Sequence, residues 1–254
     1  MKCVDVPRVI VAICLPSCEG RGLNIHQVNK RIMFLKNNKD SDRVIITFGI
    51  VLLLMEIWKQ LMIWKVEFGG RYEIWYFPFQ LCSMPMYLCL LYAALAGHKS
   101  TERFRAVILT FIRDYGFLGG IMALIVHDGL IHPGYAALTA HGFIWHVLML
   151  ALSLYISFKR LALHGISGFV STLPLFLILS GIAEVINVIF HELGDCDMFY
   201  ISPYHNSSQI VFRDIDAITG RPLGIIIYLI SMCIGALAIH FILDTIYKKY
   251  KKNW

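Results

Sequence analysis

The stretch "PLGIIIYLISMCIGALAIHFILDTIY", residues 222–247, is long and apolar enough to cross a lipid bilayer. Five more apolar runs of spanning length stand at residues 44–64, 75–96, 104–125, 136–158 and 166–190. A transmembrane helix needs about 20 mainly apolar residues, and each run meets that requirement. The sequence therefore predicts an all-α, polytopic membrane bundle of about six transmembrane helices.

The composition supports this class. Charged residues make up only 16% of the 254-residue chain, 57% is hydrophobic, and the mean hydropathy is +0.64. A soluble domain usually has about 25% charged residues. The formal charge of +6 comes from Lys and Arg at the ends of apolar runs rather than from one cluster. We therefore expect membrane lipids as partners and no nucleic acid.

The positive residues predict the orientation of the bundle. Seventeen Lys and Arg lie in the N-terminal segment, in alternate loops and in the tail, whereas the opposite loops hold four. The positive-inside rule then places both termini in the cytoplasm, which an even number of spans also requires. We expect a multi-pass membrane location, which would be the plasma membrane if the chain is bacterial.

This orientation divides the chain into three parts. Residues 1–43 form a cytoplasmic N-terminal segment, residues 44–247 the six-helix transmembrane domain, and residues 248–254 a basic cytoplasmic tail. The N-terminal segment contains a short apolar stretch, "RVIVAICLPSC" at residues 8–18, which is too short to span. An interfacial or re-entrant segment suits it better than a lipoprotein signal ending at Cys18.

The seven cysteines have neither the spacing of a zinc site nor that of a disulfide framework. We therefore expect no metal and no cofactor.

Polar side chains interrupt five of the predicted spans, although an ionisable group at mid-membrane costs about 2.5–3.5 kcal/mol. The set is Glu56, Lys59, Gln80, Cys82, Arg113, Asp114, His141, His146, Glu184 and Asn187. Counting residues along each helix gives depths in the outer half of the bilayer or near its middle for Glu56, Lys59, Cys82, Arg113, His146 and Glu184. The inner halves of the spans are mostly apolar. This sorting predicts a shared polar cavity that opens outward. The alternative is that neighbours such as Glu56 and Lys59 neutralise each other and only join helices.

Two members of the set are a candidate nucleophile and its base. His146 lies on a stripe of small and polar residues, whereas His141 lies off that stripe and is expected nearer the outer interface. Cys82 lies on a second stripe of small residues. A neutral His can remove the proton of a thiol and make it nucleophilic. The spacing alone favours a packed, unreactive thiol.

Three stretches resemble the YwaF-type bacterial integral membrane proteins: "FPFQLCSM" from residue 77, "HVLMLALSLYI" from residue 146 and "GDCDMFYISP" from residue 194. Residues that match the family motifs are Pro78, Gln80, Leu81, Cys82, His146, Tyr155, Gly194, Met198, Phe199 and Pro203. Cys196 and Asp197 depart from the third motif, which usually has Asn and Tyr there. The resemblance covers roughly residues 44 to 247.

The YwaF-type family is related to a eukaryotic transmembrane acyltransferase that remodels ether phospholipids with a Cys and a His. It is more distantly similar to androgen-induced hydrolases of fatty acid esters. The resemblance implies that Cys82 and His146 are the corresponding pair and that a lipid or fatty-acyl ester is the substrate. Gln80 or Arg113 would then stabilise the oxyanion or hold a phosphate, oriented by Glu184 and Asn187.

Two other functions fit the same residues. A transporter or receptor-like protein would bind a small polar ligand in the cavity without catalysis. A purely structural bundle would use the polar groups for helix association alone.

Overall fold

The computed structural model describes residues 39–252, with side chains for residues 40–246. Within this range the chain forms α-helices and short helical turns and contains no β-strand, so the all-α prediction is confirmed there. The helices are α1 (Lys39–Met62), α2 (Met84–Ala94), α3 (Glu102–Phe111), α4 (Phe117–Ile125), α5 (Ala136–Phe158), α6 (Gly165–Val170), α7 (Leu173–Phe190), α8 (Ile210–Thr219) and α9 (Arg221–Lys252). The predicted apolar stretch at residues 8–18 and the side chains of the tail lie outside the described residues.

Five helical segments of the described chain are long and apolar enough to cross a membrane. They are Asp40–Glu67, Lys99–Ile125, Ala136–Phe158, Gly165–Leu193 and Arg221–Ile246. Each coincides with one of the predicted apolar runs. Their outward faces carry exposed apolar side chains such as Leu54, Leu177 and Ile234. In a bilayer such a surface contacts lipid tails, so both length and surface indicate membrane insertion.

The predicted run at residues 75–96 forms a shorter helix, Leu81–Ala94. At 1.5 Å per residue it is about 21 Å long, against about 30 Å for the hydrocarbon core. Pro78 explains the late start, because the residue before a proline avoids the helical region. Phe77 accordingly has an extended backbone, with ψ 130°. Pro85 lies in the first turn of α2, where its missing N–H costs little.

Helix α2 packs antiparallel against α1. A Cβ atom on Gly49 would lie 2.8 Å from the Cβ of Cys89, so the two backbones approach as closely as glycine allows. At the other end of the pair, the Tyr92 hydroxyl donates to Asp42 at 2.5 Å, and Arg105 pairs with the same carboxylate at 3.0 Å. The short helix is thus fixed along the first long helix.

The centre of the bundle is the segment from Ala106 to Gly116, in which every residue is buried. A π-helical turn, Ile112–Gly116, joins α3 to α4 within it. The ring of Tyr115 stacks on Phe111 and Phe176, with centroids 4.5 and 4.9 Å apart. Such wide turns are rare and often occur at functional positions. Here the turn presents two charged residues, Arg113 and Asp114, to the interior.

Candidate functional site

Cys82 lies in a single helical turn, Leu81–Ser83, immediately before α2. Its side chain is half-buried and packs against a small apolar cluster that includes Leu52, Trp145 and Met149. The indole N–H of Trp145 donates a hydrogen bond of 3.1 Å to the carbonyl of Cys82. Helix α5 therefore holds the turn that presents the thiol.

His146 is the residue after Trp145 on α5, and it is only 5% exposed. Its Nδ1 lies 2.7 Å from the carbonyl of Gly142, so Nδ1 carries the hydrogen and donates it. Nε2 then carries a lone pair, and this buried atom has no hydrogen-bond partner among the described residues. The imidazole and the Cys82 thiol are consequently not bonded to each other in this state. A buried, unpaired basic nitrogen is costly and marks a candidate site.

Lys59 brings a positive charge to this group. Its ammonium lies 2.8 Å from the carboxylate of Glu56, and the amide of Gln60 donates to the same oxygen at 2.7 Å. The side chain of Lys59 is about one-fifth exposed. The place of Glu56 and Lys59 in the site stays a prediction.

His141 occupies a packed position between α1 and α5. Its ring stacks between Trp58 and Trp145, with centroids 5.6 and 5.7 Å away. Its Nε2 donates to the carbonyl of Met55 at 3.1 Å. His141 is buried, although its position off the polar stripe suggested a place nearer the outer interface. Both its packing and its hydrogen bond join the two helices.

Gln80 and Asn187 hold one loop from two sides. The amide of Gln80 donates to the carbonyl of Asp197 at 2.8 Å and accepts from the N–H of Phe199 at 2.9 Å. The amide of Asn187 donates to the carbonyl of Met198 at 3.1 Å and accepts from its N–H at 2.6 Å. Both side chains are thus occupied by backbone groups, which leaves neither amide pointing freely into a cavity.

The clamped loop has unusual backbone geometry. Phe199 and Tyr200 have φ of 57° and 58°, a left-handed conformation that side chains with a Cβ rarely adopt. Such residues persist where their surroundings hold them, and the two amide clamps supply that restraint.

Glu184 stands one turn before Asn187 on α7, and its buried Oε2 has no hydrogen-bond partner in the described chain.

Arg221 joins the same loop to α8 and α9. It donates to the carbonyls of Tyr200 and Ser202 at 3.0 and 2.7 Å and to the carboxylate of Asp216 at 2.8 Å. Asp197 accepts from the N–H of Ser202 at 2.8 Å. Burial raises the pKa of Asp197 to about 6, against the opposing effects of that hydrogen bond and of Arg221. Through its hydrogen bond with Ser202, Asp197, one of the two departures from the YwaF-type motif, holds one end of the loop to the other.

Arg113 and Asp114 belong to a different cluster. Arg113 donates to Asp114 at 2.7 Å and to Asp244 at 3.0 Å. The Nδ1 of His240 lies 2.6 Å from Arg113 and 2.7 Å from Asp114, and His164 approaches Asp244 at 2.6 Å. Among the described side chains, no group of His, Cys, Asp or Glu is arranged to hold a metal ion. Arg113 and Asp114 thus bond to each other and to α9.

Sequence reasoning missed His240 and Asp244, which lie in the half of α9 that was expected to be apolar. The available signal was two ionisable residues four apart on one face of a spanning helix. It also missed Trp145. An indole N–H inside a spanning helix needs an acceptor, and that requirement pointed to a partner on a neighbouring element.

Five long apolar helices around buried polar clusters define a polytopic helical membrane protein. The family model described as the TMEM164 family matches residues 9–246, which is nearly the whole chain. The chain belongs to the TMEM164 family. No curated protein and no solved structure matches it.

Proposed function

We propose that this protein is a membrane enzyme that transfers or hydrolyses the acyl groups of lipid esters, with Cys82 as the nucleophile and His146 as the base. The observation that supports this most is the free lone pair on the buried Nε2 of His146, one residue from the Trp145 that binds the Cys82 carbonyl. The resemblance of residues 77–84 to the YwaF-type motif supports the same pair.

The proposed reaction has two steps. His146 Nε2 takes the proton of the Cys82 thiol, and the sulfur attacks the ester carbonyl carbon, forming a C–S bond. The ester C–O bond breaks, and the leaving alkoxide takes the proton back from the imidazolium. Water or the hydroxyl of a lysolipid then attacks the thioester, while His146 removes its proton and the C–S bond breaks. The thiolate recovers that proton, which returns Cys82 and His146 to their starting state.

The surrounding residues have supporting roles in this scheme. The ammonium of Lys59 stabilises the thiolate, with Glu56 holding the ammonium in place. Gln80 positions the Cys82 turn through the Asp197–Phe199 loop instead of binding the oxyanion. The approach of thiol and imidazole is completed when an acyl chain binds, as is common for catalytic hydrogen bonds that are long in the free enzyme.

The proposal includes a topology with both termini in the cytoplasm and α2 as a sixth, short crossing. The excess of positive loop residues and the antiparallel packing of α2 on α1 support it. Two exposed positions test it: a membrane-impermeant maleimide on intact cells should label Asn206→Cys but not His98→Cys. Labelling of His98→Cys but not of Asn206→Cys would show the opposite orientation.

A lipid ester with an alkyne-tagged acyl chain tests the chemistry. Incubation with the purified protein in vesicles should place the tag on Cys82 as a hydroxylamine-sensitive thioester. Cys89→Ala should retain the tag, because Cys89 is fully buried against α1, and Cys82→Ala should lose it. A tag that persists in Cys82→Ala would remove Cys82 as the nucleophile. Specific binding of the lipid without any adduct would favour the non-catalytic, ligand-binding alternative.

A further inference from the structure

Helix α8 packs against the N-terminal part of α9. Only Gly220 separates α8 from Arg221, where the spanning segment begins, and its φ of 81° reverses the chain. Phe212 packs edge-on against Tyr228 with centroids 4.8 Å apart, and the Asp216 carboxylate sits directly over Gly224. These pairs stand in antiparallel register around Gly220. Helix α8 therefore lies alongside the first turns of a membrane-spanning helix.

The surface of α8 has three sectors. Phe212 and Asp216 face α9, and Asp216 is buried. Val211 and Ile218, which are 65% and 86% exposed, form an apolar stripe with the intervening Ile215 at spacings of four and three. A third sector carries the exposed pair Arg213 and Asp214, 3.7 Å apart. Protein, apolar and polar sectors on one helix are what a helix at a lipid–water boundary requires.

We propose that α8 is an interfacial helix whose Val211–Ile215–Ile218 stripe is embedded in lipid, in the leaflet where α9 begins, while Arg213 and Asp214 lie among headgroups and water. The position beside the first turns of α9 places the stripe at the depth of lipid rather than in bulk water. Exposure of an apolar stripe of this width to water would cost free energy, whereas lipid tails solvate it without a protein partner.

This surface is coupled to the loop near Cys82, although the inference does not depend on catalysis. Arg221 binds Asp216 of α8 and also the carbonyls of Tyr200 and Ser202. The same loop is clamped by Gln80, two residues before Cys82. Displacing α8 from the lipid should therefore move the loop as well.

Quenching of a small fluorescent non-canonical residue tests the proposal. The residue is placed singly at Val211, at Ile218 or, as the matched control on the polar sector, at Arg213, in the full chain reconstituted into phosphatidylcholine vesicles. A lipid spin-labelled on the upper part of its acyl chain should quench the Val211 and Ile218 probes at least about twofold more than the Arg213 probe. Aqueous iodide should give the opposite order.

Two outcomes would overturn the inference. The first is equal iodide quenching at Ile218 and Arg213, which would place the stripe in water. The second is protection of the Val211 and Ile218 probes from both quenchers, which would mean that a second copy or another protein covers the stripe. Because the substituted side chains are exposed, the probes should not disturb folding, and the Val211 and Ile218 positions report independently.

Discussion

The indole N–H of Trp145 donates to the carbonyl of Cys82 at 3.1 Å, which joins the helix that carries His146 to the turn that carries the thiol. Trp145→Phe keeps a ring in the cluster but leaves that carbonyl without its partner. We expect a loss of about 1–3 kcal/mol in stability, measured by thermal unfolding in detergent. Trp64→Phe is the control, because it removes a bond to Gly70 that is exposed. Equal losses of stability in the two variants would show that the hydrogen bond of Trp145 contributes no more than the exposed hydrogen bond of Trp64.

Arg113→Met should be strongly destabilising. The substitution keeps much of the volume but removes the guanidinium that bridges Asp114 and Asp244. Breaking a buried ion pair on one side typically costs about 3–5 kcal/mol. Arg213→Met, at a position 62% exposed, should change stability by no more than about 0.5 kcal/mol. Thermal unfolding that fails to separate the two variants would contradict the cluster's structural role.

Gly224→Ala should disrupt the contact between α8 and α9. A Cβ at Gly224 would overlap the Asp216 carboxylate, which is held in place by Arg221 and by the N–H of Ser207. Gly181→Ala is the matched control, since a Cβ there meets nothing within 4 Å and alanine favours helix by about 1 kcal/mol. We expect the first variant to unfold at a lower temperature than the wild type and the second at an equal or higher one. Equal unfolding temperatures would mean that α8 is not packed as described.

Asp197 should make stability depend on pH. Burial raises its pKa from 3.8 to about 6 in the folded protein. Between these two values the folded state binds more protons than the unfolded state, so stability should fall as pH rises from about 4 to about 6 and then level off. Asp197→Asn keeps an acceptor for the Ser202 N–H and should flatten this part of the profile. An unchanged slope in Asp197→Asn would assign the titration to another group.

The helical class and the positions of five spanning helices could be predicted, because apolar runs must satisfy their backbone groups within one helix. The start of the helical segment Leu81–Ala94 was harder to predict. Its apolar run continues through Pro78, and only the local effect of that proline sets the helix start at Leu81.

The grouping of polar residues could not be predicted from depth along each helix. Depth does not say which helices are neighbours, and the bundle brings Arg113 to Asp244, 131 residues away. Gln80 likewise finds its partners in a loop more than 110 residues further along. Such pairings depend on tertiary packing, which a single sequence leaves open.

The most direct test of the central claim is the rate at which the alkyne-tagged lipid ester acylates Cys82, followed by mass spectrometry of the modified peptide. With His146→Ala the rate should fall at least about tenfold, because a positioned general base contributes about 10²–10⁴-fold to such steps. His141→Ala should leave the rate close to that of the wild type, since the Nε2 of His141 donates to the carbonyl of Met55. An unchanged rate in His146→Ala would contradict the proposed pair.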